Sequence, residues 1–333
     1  SIQLIYKAGL LHSGLEIIAF FLYFFGQSKK NGHMKNKTEK QIMKINGQEP
    51  LSIAQAKDNK NGSYNSSELF NSLKTFRSGY EIELTDFIWQ TIKREKISKD
   101  KVTILNTTSN INIELLFNNS KELLVNMHRL NDIRRINEHL LTAYSKLESG
   151  GLFVGNFIPL EKIKSHLRSQ MPHFLYSIVL PFYFIFHRVF PKLAVTKQIY
   201  FIITRGRNRV LSKSEVLGRL AFCGYEILNE INIADRFYFV CKKNRTVSEE
   251  ESPSYGPIVR LKRIGYKGEP LYIYKLRTMY PYSEFIQGDI YEKYHLDKSG
   301  KMKGDYRITS WGKIFRKYFI DEIPQLYNWI KGD

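Results

Sequence analysis

Cysteine is nearly absent from this chain: Cys223 and Cys241 are the two among 333 residues. Two thiols cannot build a disulfide framework or a four-thiolate zinc site, and they point to a reducing compartment. Long apolar runs are missing too. No stretch reaches the roughly 18 uninterrupted apolar residues of a membrane span, and a mean hydropathy of −0.34 argues against a polytopic membrane protein. No repeat at a period of about 20–50 residues is evident, which sets aside solenoids and propellers. Acidic residues are in the minority, 32 against 51 Lys and Arg, leaving a net charge of +19. That excess points to anionic partners, whether nucleic acid, nucleotide-sugars or an anionic membrane surface, and charge alone does not choose among them. The cations are spread along the chain with no RNP, helix-turn-helix or finger motif, so no nucleic-acid partner is expected.

What is present suffices for a core. With 43% hydrophobic and 14% aromatic residues, wholesale disorder is excluded. The length accommodates two ordinary domains or one large one. The chain opens on Ser1 and stops at Lys331-Gly332-Asp333 as a helical pattern is finishing, so it reads as a fragment. Residues 1–25 hold short apolar patches, of which Leu15 to Phe25 suits a buried helix or a membrane-surface anchor. Residues 26–68, rich in Lys, Asn, Gln, Ser and Gly, read as a linker or surface loop.

Order is expected from Leu69. Val102 to Leu105 and Leu123 to Asn126 read as strands, and Ile133 to Leu147 as an amphipathic helix ending at Glu148-Ser149-Gly150-Gly151. Leu152 to Val154 opens the next strand, giving the βαβ rhythm of an α/β fold with a parallel sheet. A helix from Ser212 to Cys223 stops at Gly224. Tyr225 to Leu228 and Arg236 to Cys241 read as a closing pair of strands. Phe174 to Phe186 is free of charge and interrupted by Pro181. It suits either a buried kinked segment or an interfacial helix dipping into one leaflet.

The segment LLVNMHRLNDIRRINEHLLTAYSKLESGGLFVG, with SKSEVLGRLAFCGYEIL behind it, resembles the second half of a class I S-adenosylmethionine-dependent methyltransferase. The resemblance covers about residues 100–243 and implies a Rossmann-like, methyltransferase-like domain, whose bounds are read as 69–243. No G-x-G-x-G loop occurs in residues 60–110, so the domain is expected without the loop that lets backbone approach that cofactor. Asn126, His128 and Asp132 stand where catalytic groups could stand, with loop and capping roles the favoured reading.

Residues 244–254, polar and acidic, read as an interdomain linker. Beyond them GPIVRLKRIGYKGEPLYIYKLRTM reads as a hairpin turning at Gly265 to Pro270. Lys275 and Arg277, two apart, share a strand face, and two cations on one face suit a diphosphate or simply a solvated surface. Further on, Arg307, Lys313, Arg316 and Lys317 lead to the adjacent acids Asp321-Glu322, with Pro324 following. That spacing puts both carboxylates at a helix N-terminus, where capping and catalysis are equally good readings.

The order GP, RIG-x-x-G-x-P, YKLRTM, D-x-RIT-x-x-GK-x-x-RK, DEIPQL-x-N-x-x-KGD resembles the bacterial sugar transferase family, the monotopic phosphoglycosyl transferases. For residues 255–333 the resemblance implies a C-terminally truncated α/β catalytic domain. It implies transfer of a sugar 1-phosphate from a UDP-sugar donor to undecaprenyl phosphate, initiating exopolysaccharide, O-antigen or other glycan assembly. By that resemblance Asp321 is the nucleophile and Glu322 holds Mg²⁺. Lys275, Arg277, Arg307 and Arg316 then bind substrate phosphates. The implied site of action is the cytoplasmic face of the bacterial inner membrane, with the protein monotopic or peripheral. The family places a hydrophobic re-entrant helix directly before its Gly-Pro block. Here an acidic stretch stands there instead, so Phe174 to Phe186 or the N-terminal patch would take that role. Two alternatives differ in kind: an active methyltransferase, or a non-catalytic scaffold in the same pathway.

Overall fold

Residues 63–75, 79–92, 97–249, 256–294 and 305–332 are described by the computed structural model, all within one compact unit, Gln55–Asp333. The apolar patches at 1–25 and most of the stretch 26–68 lie outside the described residues.

Helices α1 (Ser66–Lys74) and α2 (Glu81–Ile92) come first. A reciprocal capping box starts α1: the Asn65 side chain accepts from the Glu68 N–H at 3.0 Å, and the Glu68 carboxylate accepts from the Asn65 N–H at 3.2 Å. The alternating part follows as β1 (Val102–Leu105), β2 (Lys121–Arg129), α3 (Ile136–Lys146) and β3 (Leu147–Phe157). Three helices come next, α4 (Leu160–Gln170), α5 (His173–Phe184) and α6 (Ala194–Thr204). Then α7 (Lys213–Phe222) leads into the hairpin of β4 (Tyr225–Ile233) and β5 (Arg236–Lys243).

The five strands form one sheet in the order β1-β2-β3-β5-β4. β1, β2 and β3 pair in parallel, and β5 runs antiparallel to both its neighbours. The α/β sheet expected from the sequence, closed by a hairpin, is therefore present. Side chains alternate across it as the period of two requires. Leu124, Phe153, Phe239 and Cys241 face a core shared with α3 and α7. Leu123, Val125, Val154 and Val240 face the core covered by α1 and α2. Because both faces are covered, the central strands carry continuous apolar runs, at 123–125, 152–154 and 237–241, rather than alternating with polar residues.

Several boundaries differ from the sequence reading, with β2 running Lys121–Arg129 rather than Leu123 to Asn126 and β4 reaching Ile233 rather than Leu228. α3 starts at Ile136 rather than Ile133, because Leu130–Asp132 form a 3₁₀ turn. Asp132 holds that turn by accepting from Arg129 Nε at 2.8 Å and from the Asn208 N–H at 2.9 Å. Glu148 to Gly151, expected as a turn, already belong to β3, where Leu147 pairs with Lys121 across an irregularity in the ladder.

The C-terminal part contains the hairpin β6 (Ile258–Ile264) and β7 (Pro270–Leu276), then α8 (Gln287–Tyr294), α9 (Ser310–Lys317) and α10 (Gln325–Lys331). Its register, Ile258 opposite Leu276 through Ile264 opposite Pro270, is the one the turn at Gly265 to Pro270 dictates. This part is joined to the sheet by burial. Tyr282, Ile286 and Ile290 belong to the same core as Leu217 and Leu220 of α7. Arg219 stacks 4.4 Å over the Tyr282 ring, and Asn137 donates to the Tyr282 hydroxyl at 2.6 Å. Arg245 pairs with Asp289 at 2.6 Å.

Of the two readings left open for Phe174 to Phe186, the buried one is overturned. In α5 the buried residue is Val179, while Phe174, Ile178 and Phe182 are exposed. The helix continues through Pro181, which removes one backbone donor, and passes into a π turn at Ile185–Val189.

Candidate active site

The basic approach is built on α9. Thr309 caps it, its hydroxyl accepting from the Gly312 N–H at 2.9 Å while donating to the Thr278 carbonyl at 3.0 Å. Gly312 is buried against that carbonyl, and one turn later Arg316 Nε donates to the Thr278 hydroxyl at 2.9 Å. Gly312 is therefore the point at which α9 is seated in the protein, and Ser310, Lys313, Arg316 and Lys317 are exposed. Trp311, Ile314 and Tyr318, at i, i+3 and i+7, are exposed as well.

The chain leaves α9 through Phe319, which adopts φ 56°, ψ 20°. A left-handed conformation at a non-glycine residue costs about 1–2 kcal/mol. It turns the backbone so that Phe319 stays exposed while Asp321, two residues on, is 9% exposed. Asp321 and Glu322 lie in a 3₁₀ turn, Ile320–Glu322, and Pro324 is the N-cap of α10 rather than a residue of its first turn. No side-chain cap hydrogen bond is made at the start of either helix. Neither acid is itself an N-cap residue, since Phe319 and Pro324 hold those positions, and both acids lie in the first turn of the 3₁₀ segment.

Two elements hold this turn against the hairpin. Lys275 of β7 reaches Glu322 Oε1 at 2.7 Å. Asn328 of α10, which the sequence reading passed over, lies against the free edge of β7. Its side-chain oxygen accepts from the Tyr274 N–H at 3.1 Å, and its amide donates to the Tyr272 carbonyl at 2.6 Å. A strand edge leaves alternate N–H and C=O groups open, and one carboxamide can pair with both. The signal available in the sequence was an Asn inside the otherwise apolar Leu326 to Ile330.

The other cations are placed differently. Arg277 Nε donates to the Gly256 carbonyl at 2.9 Å, tying the end of β7 to the entry of the hairpin. Arg307 is buried and makes a fork to Asp305, Nε to Oδ1 and Nη2 to Oδ2, both 2.8 Å. Burial works to raise the Asp305 pKa, but hydrogen bonds from Arg307 outweigh it and hold the carboxyl below its usual range. Lys275, Asp321 and Glu322 are thus gathered at one place. Arg307 and Arg316 are engaged with Asp305 and Thr278 instead.

Among the described residues no group of three or more His, Cys, Asp or Glu could hold a metal ion. The adjacent carboxylates fit a Mg²⁺ shared with a substrate phosphate, since that ion is commonly bound through one or two carboxylates plus phosphate oxygens.

The carboxyl ends of β1 and β2, where the methyltransferase resemblance would put a ligand, are filled by their own side chains. Asn126 donates to the Thr107 carbonyl at 3.0 Å and accepts from the Thr107 and His128 N–H groups at 3.2 and 3.1 Å. Its amide also lies 3.0 Å from His139 Nε2. His128 Nε2 is 3.3 Å from Asp132. These are loop-fixing roles, as the sequence reading favoured for Asn126, His128 and Asp132.

Residues 247–333 match the family model described as bacterial sugar transferase. Among curated proteins, the chain is 38% identical over 76 residues to the undecaprenyl-phosphate galactose phosphotransferase of Salmonella typhimurium, covering 21% of this chain and 16% of that protein. It is 42% identical over 74 residues to the galactosyl transferase CpsE of Streptococcus agalactiae, with coverages of 21% and 16%. A third relative is the UDP-glucose:undecaprenyl-phosphate glucose-1-phosphate transferase of Caulobacter vibrioides, 39% identical over 84 residues, covering 25% of this chain and 27% of that one. The alignments therefore span well under a third of each of these three relatives. Among solved structures, a SAM-dependent methyltransferase from Thermotoga maritima is 8% identical with a TM-score of 0.28, covering 53% of this chain and 98% of that one. An O-methyltransferase family protein from Burkholderia thailandensis is 13% identical with a TM-score of 0.25, covering 51% and 41%. Likenesses at that level carry no weight for fold or activity. The segment that holds Lys275, Asp321 and Glu322 is the one that matches the bacterial sugar transferase family.

Proposed function

We propose that the protein is a phosphoglycosyl transferase that moves a sugar 1-phosphate from a UDP-sugar to undecaprenyl phosphate at the cytoplasmic face of a bacterial inner membrane. The observation that carries this reading is the buried Asp321 beside the Lys275–Glu322 pair, within the segment that matches the family. In the proposed reaction an Asp321 carboxylate oxygen attacks the sugar-bearing phosphorus. The bond from that phosphorus to the bridging oxygen breaks, and UMP leaves with the electron pair. An oxygen of undecaprenyl phosphate then attacks the same phosphorus, and the bond to Asp321 breaks, regenerating the carboxylate. Two displacements through an acyl phosphate take the place of one direct transfer between donor and acceptor.

Glu322 would hold Mg²⁺, which supplies charge neutralisation at the diphosphate when bound. Lys275 is placed to neutralise the same group once the donor competes for it with Glu322. Arg277, one residue past β7, is the second candidate cation, and Arg316 on α9 a third. Arg307 acts through Asp305 and steadies the loop before α9. The exposed Trp311, Ile314 and Tyr318, with Lys313 and Lys317 on the same short helix, suit contact with the membrane that carries the acceptor.

The test uses full-length protein in membranes with Mg²⁺, undecaprenyl phosphate and a panel of UDP-sugars, following UMP. One donor should release UMP, and a burst matching the amount of enzyme should persist without acceptor. Silence with every donor, from folded and membrane-bound protein, would overturn the reading.

A further inference from the structure

The helices α5 and α6 present apolar side chains to the outside, which is the reverse of a soluble surface helix. Phe174, Ile178, Phe182 and Ile185 recur at i, i+4, i+8 and i+11 on one side of α5 and its π turn, and all are exposed. Val195, Ile199, Ile202 and Ile203 do the same on α6, at i, i+4, i+7 and i+8. Exposure of these eight runs from 44% to 80%. The opposite sides are packed: Tyr200 of α6 lies edge-on to Phe186 at 5.3 Å and to His187 at 5.9 Å, while Arg134 stacks 4.5 Å over Phe201. The exposed face is therefore a built feature of two ordered helices. Rows of exposed apolar side chains of this kind mark an interaction site.

Charge selects the occupant. Residues 160–209 contain nine Lys and Arg and a single acid, Glu161. Arg188 is buried, but Lys197 on α6 and Arg205 just past it are exposed, and an apolar face carrying such cations complements an anionic lipid surface. Depth follows from what is tied down. The stretch His173–Lys192 is long and apolar enough to cross a bilayer, but its C-terminal end is fixed in protein. Arg188 is buried, donating to the Val210 carbonyl at 2.8 Å and paired with the buried Glu215. That leaves residues 174–185, about 18 Å of helix at 1.5 Å per residue, against a hydrocarbon core of about 30 Å.

We infer that α5 and α6 together form a docking surface for an anionic bilayer, seated in one leaflet by Phe182 and Ile199 and their neighbours and not crossing it. This deepens the membrane reading above and rests on it. The same base ties the surface to the transferase-like segment. Arg188 lies 5.5 Å over the Tyr280 ring, and the Tyr280 N–H donates to the Arg307 carbonyl at 2.9 Å.

The experiment places an environment-sensitive label on full-length Phe182→Cys and Ile199→Cys, with Asp235→Cys as a control on the exposed turn between β4 and β5; Cys223 and Cys241 are fully buried. Vesicles of phosphatidylethanolamine and phosphatidylglycerol should raise fluorescence several-fold at 182 and 199, with quenching by acyl-chain nitroxides, and leave 235 unchanged. Phosphatidylcholine alone should give less. Labels at 182 and 199 that stay wet on protein floating with the vesicles would overturn the inference. So would shielding that appears without vesicles as protein concentration rises, which would mean a second copy. UMP release is followed in the same samples. Inserted labels without UMP would fail the transferase reading alone; UMP with wet labels would fail the docking surface alone.

Discussion

Gly218 of α7 and the backbone carbonyl of Tyr282 are in direct contact: a Cβ placed on Gly218 would fall 2.1 Å from that oxygen. This is where the sheet and the transferase-like segment meet, since Tyr282 also receives Asn137 on its hydroxyl and Arg219 on its ring.

The contact gives a first prediction. Gly218→Ala would gain about 1 kcal/mol of helix propensity in isolation. Here the obstacle is backbone, which has no rotamer to yield, so overpacking of roughly 1–3 kcal/mol wins. A lower urea midpoint, together with increased proteolysis of the 282–290 segment, is the expected outcome. An unchanged midpoint would mean the two parts separate at little cost.

Asn328→Ala should act locally. It leaves the Tyr274 N–H and Tyr272 carbonyl without their carboxamide partner, and a buried unsatisfied group costs about 1–3 kcal/mol. Asn328 touches none of the atoms proposed to react, so its effect on transfer should fall on kcat, by displacing the Asp321 turn. Asn328→Asp should be worse than a conservative change suggests, because the carboxylate cannot donate to Tyr272. A rise in donor KM with kcat intact would count against the positioning role.

How far these features were legible depends on whether a signal was local. β1, β2 and β3, and the stop of α7 at Gly224, follow from runs and a glycine visible in any window. The hairpin at Gly265 to Pro270 follows from turn chemistry. The burial of Tyr282, Ile286 and Ile290 against α7 was not visible, because the residues that bury them lie about sixty or more positions earlier. The pairing of Arg307 with Asp305 was hidden for a different reason: a cation two residues from an acid has the same pattern whether it binds that acid or a ligand. For Phe174 to Phe186, composition describes a core helix and an exposed one alike, and the tertiary structure decides between them.

A pH dependence follows from two buried imidazoles. Burial lowers the pKa of His139 to about 4, with His128 nearby adding to the effect, and burial alone brings His187 to about 4. Both are neutral in the folded protein above that value, whereas in the unfolded chain they titrate near 6.5. The unfolded state then binds more protons between pH 6.5 and 4, so stability falls as pH drops through that window, by up to about 3 kcal/mol per group. Asp132 and Glu215, whose charge partners hold their carboxyls low against the opposing effect of burial, lose their contribution at lower pH, below the unfolded carboxylate range. His139→Gln keeps an amide able to donate to Asn110, which His139 Nδ1 meets at 2.9 Å. Its urea midpoint should fall less steeply than wild type from pH 7 to pH 4.5. Identical slopes would show that His139 does not carry the effect.

The sharpest prediction concerns Lys275 and Glu322. Both are partly exposed, and an ion pair of that kind adds at most about 1 kcal/mol to stability, so Lys275→Met and Glu322→Gln should unfold near the wild-type midpoint. Transfer should still suffer, and the double variant shows why. If Lys275 serves only to hold Glu322, then Lys275→Met in the Glu322→Gln background should cost nothing further. If Lys275 moves to the donor diphosphate, the two losses act on different atoms and should multiply, with the Lys275 share appearing mainly in donor KM. Asp321→Asn sets the baseline, with both the UMP burst and turnover reduced by at least about 10³-fold, because an amide is not a nucleophile for phosphorus. Multiplicative losses above that baseline would assign Lys275 to the donor phosphate; a double variant no worse than Glu322→Gln would assign it to the carboxylate alone.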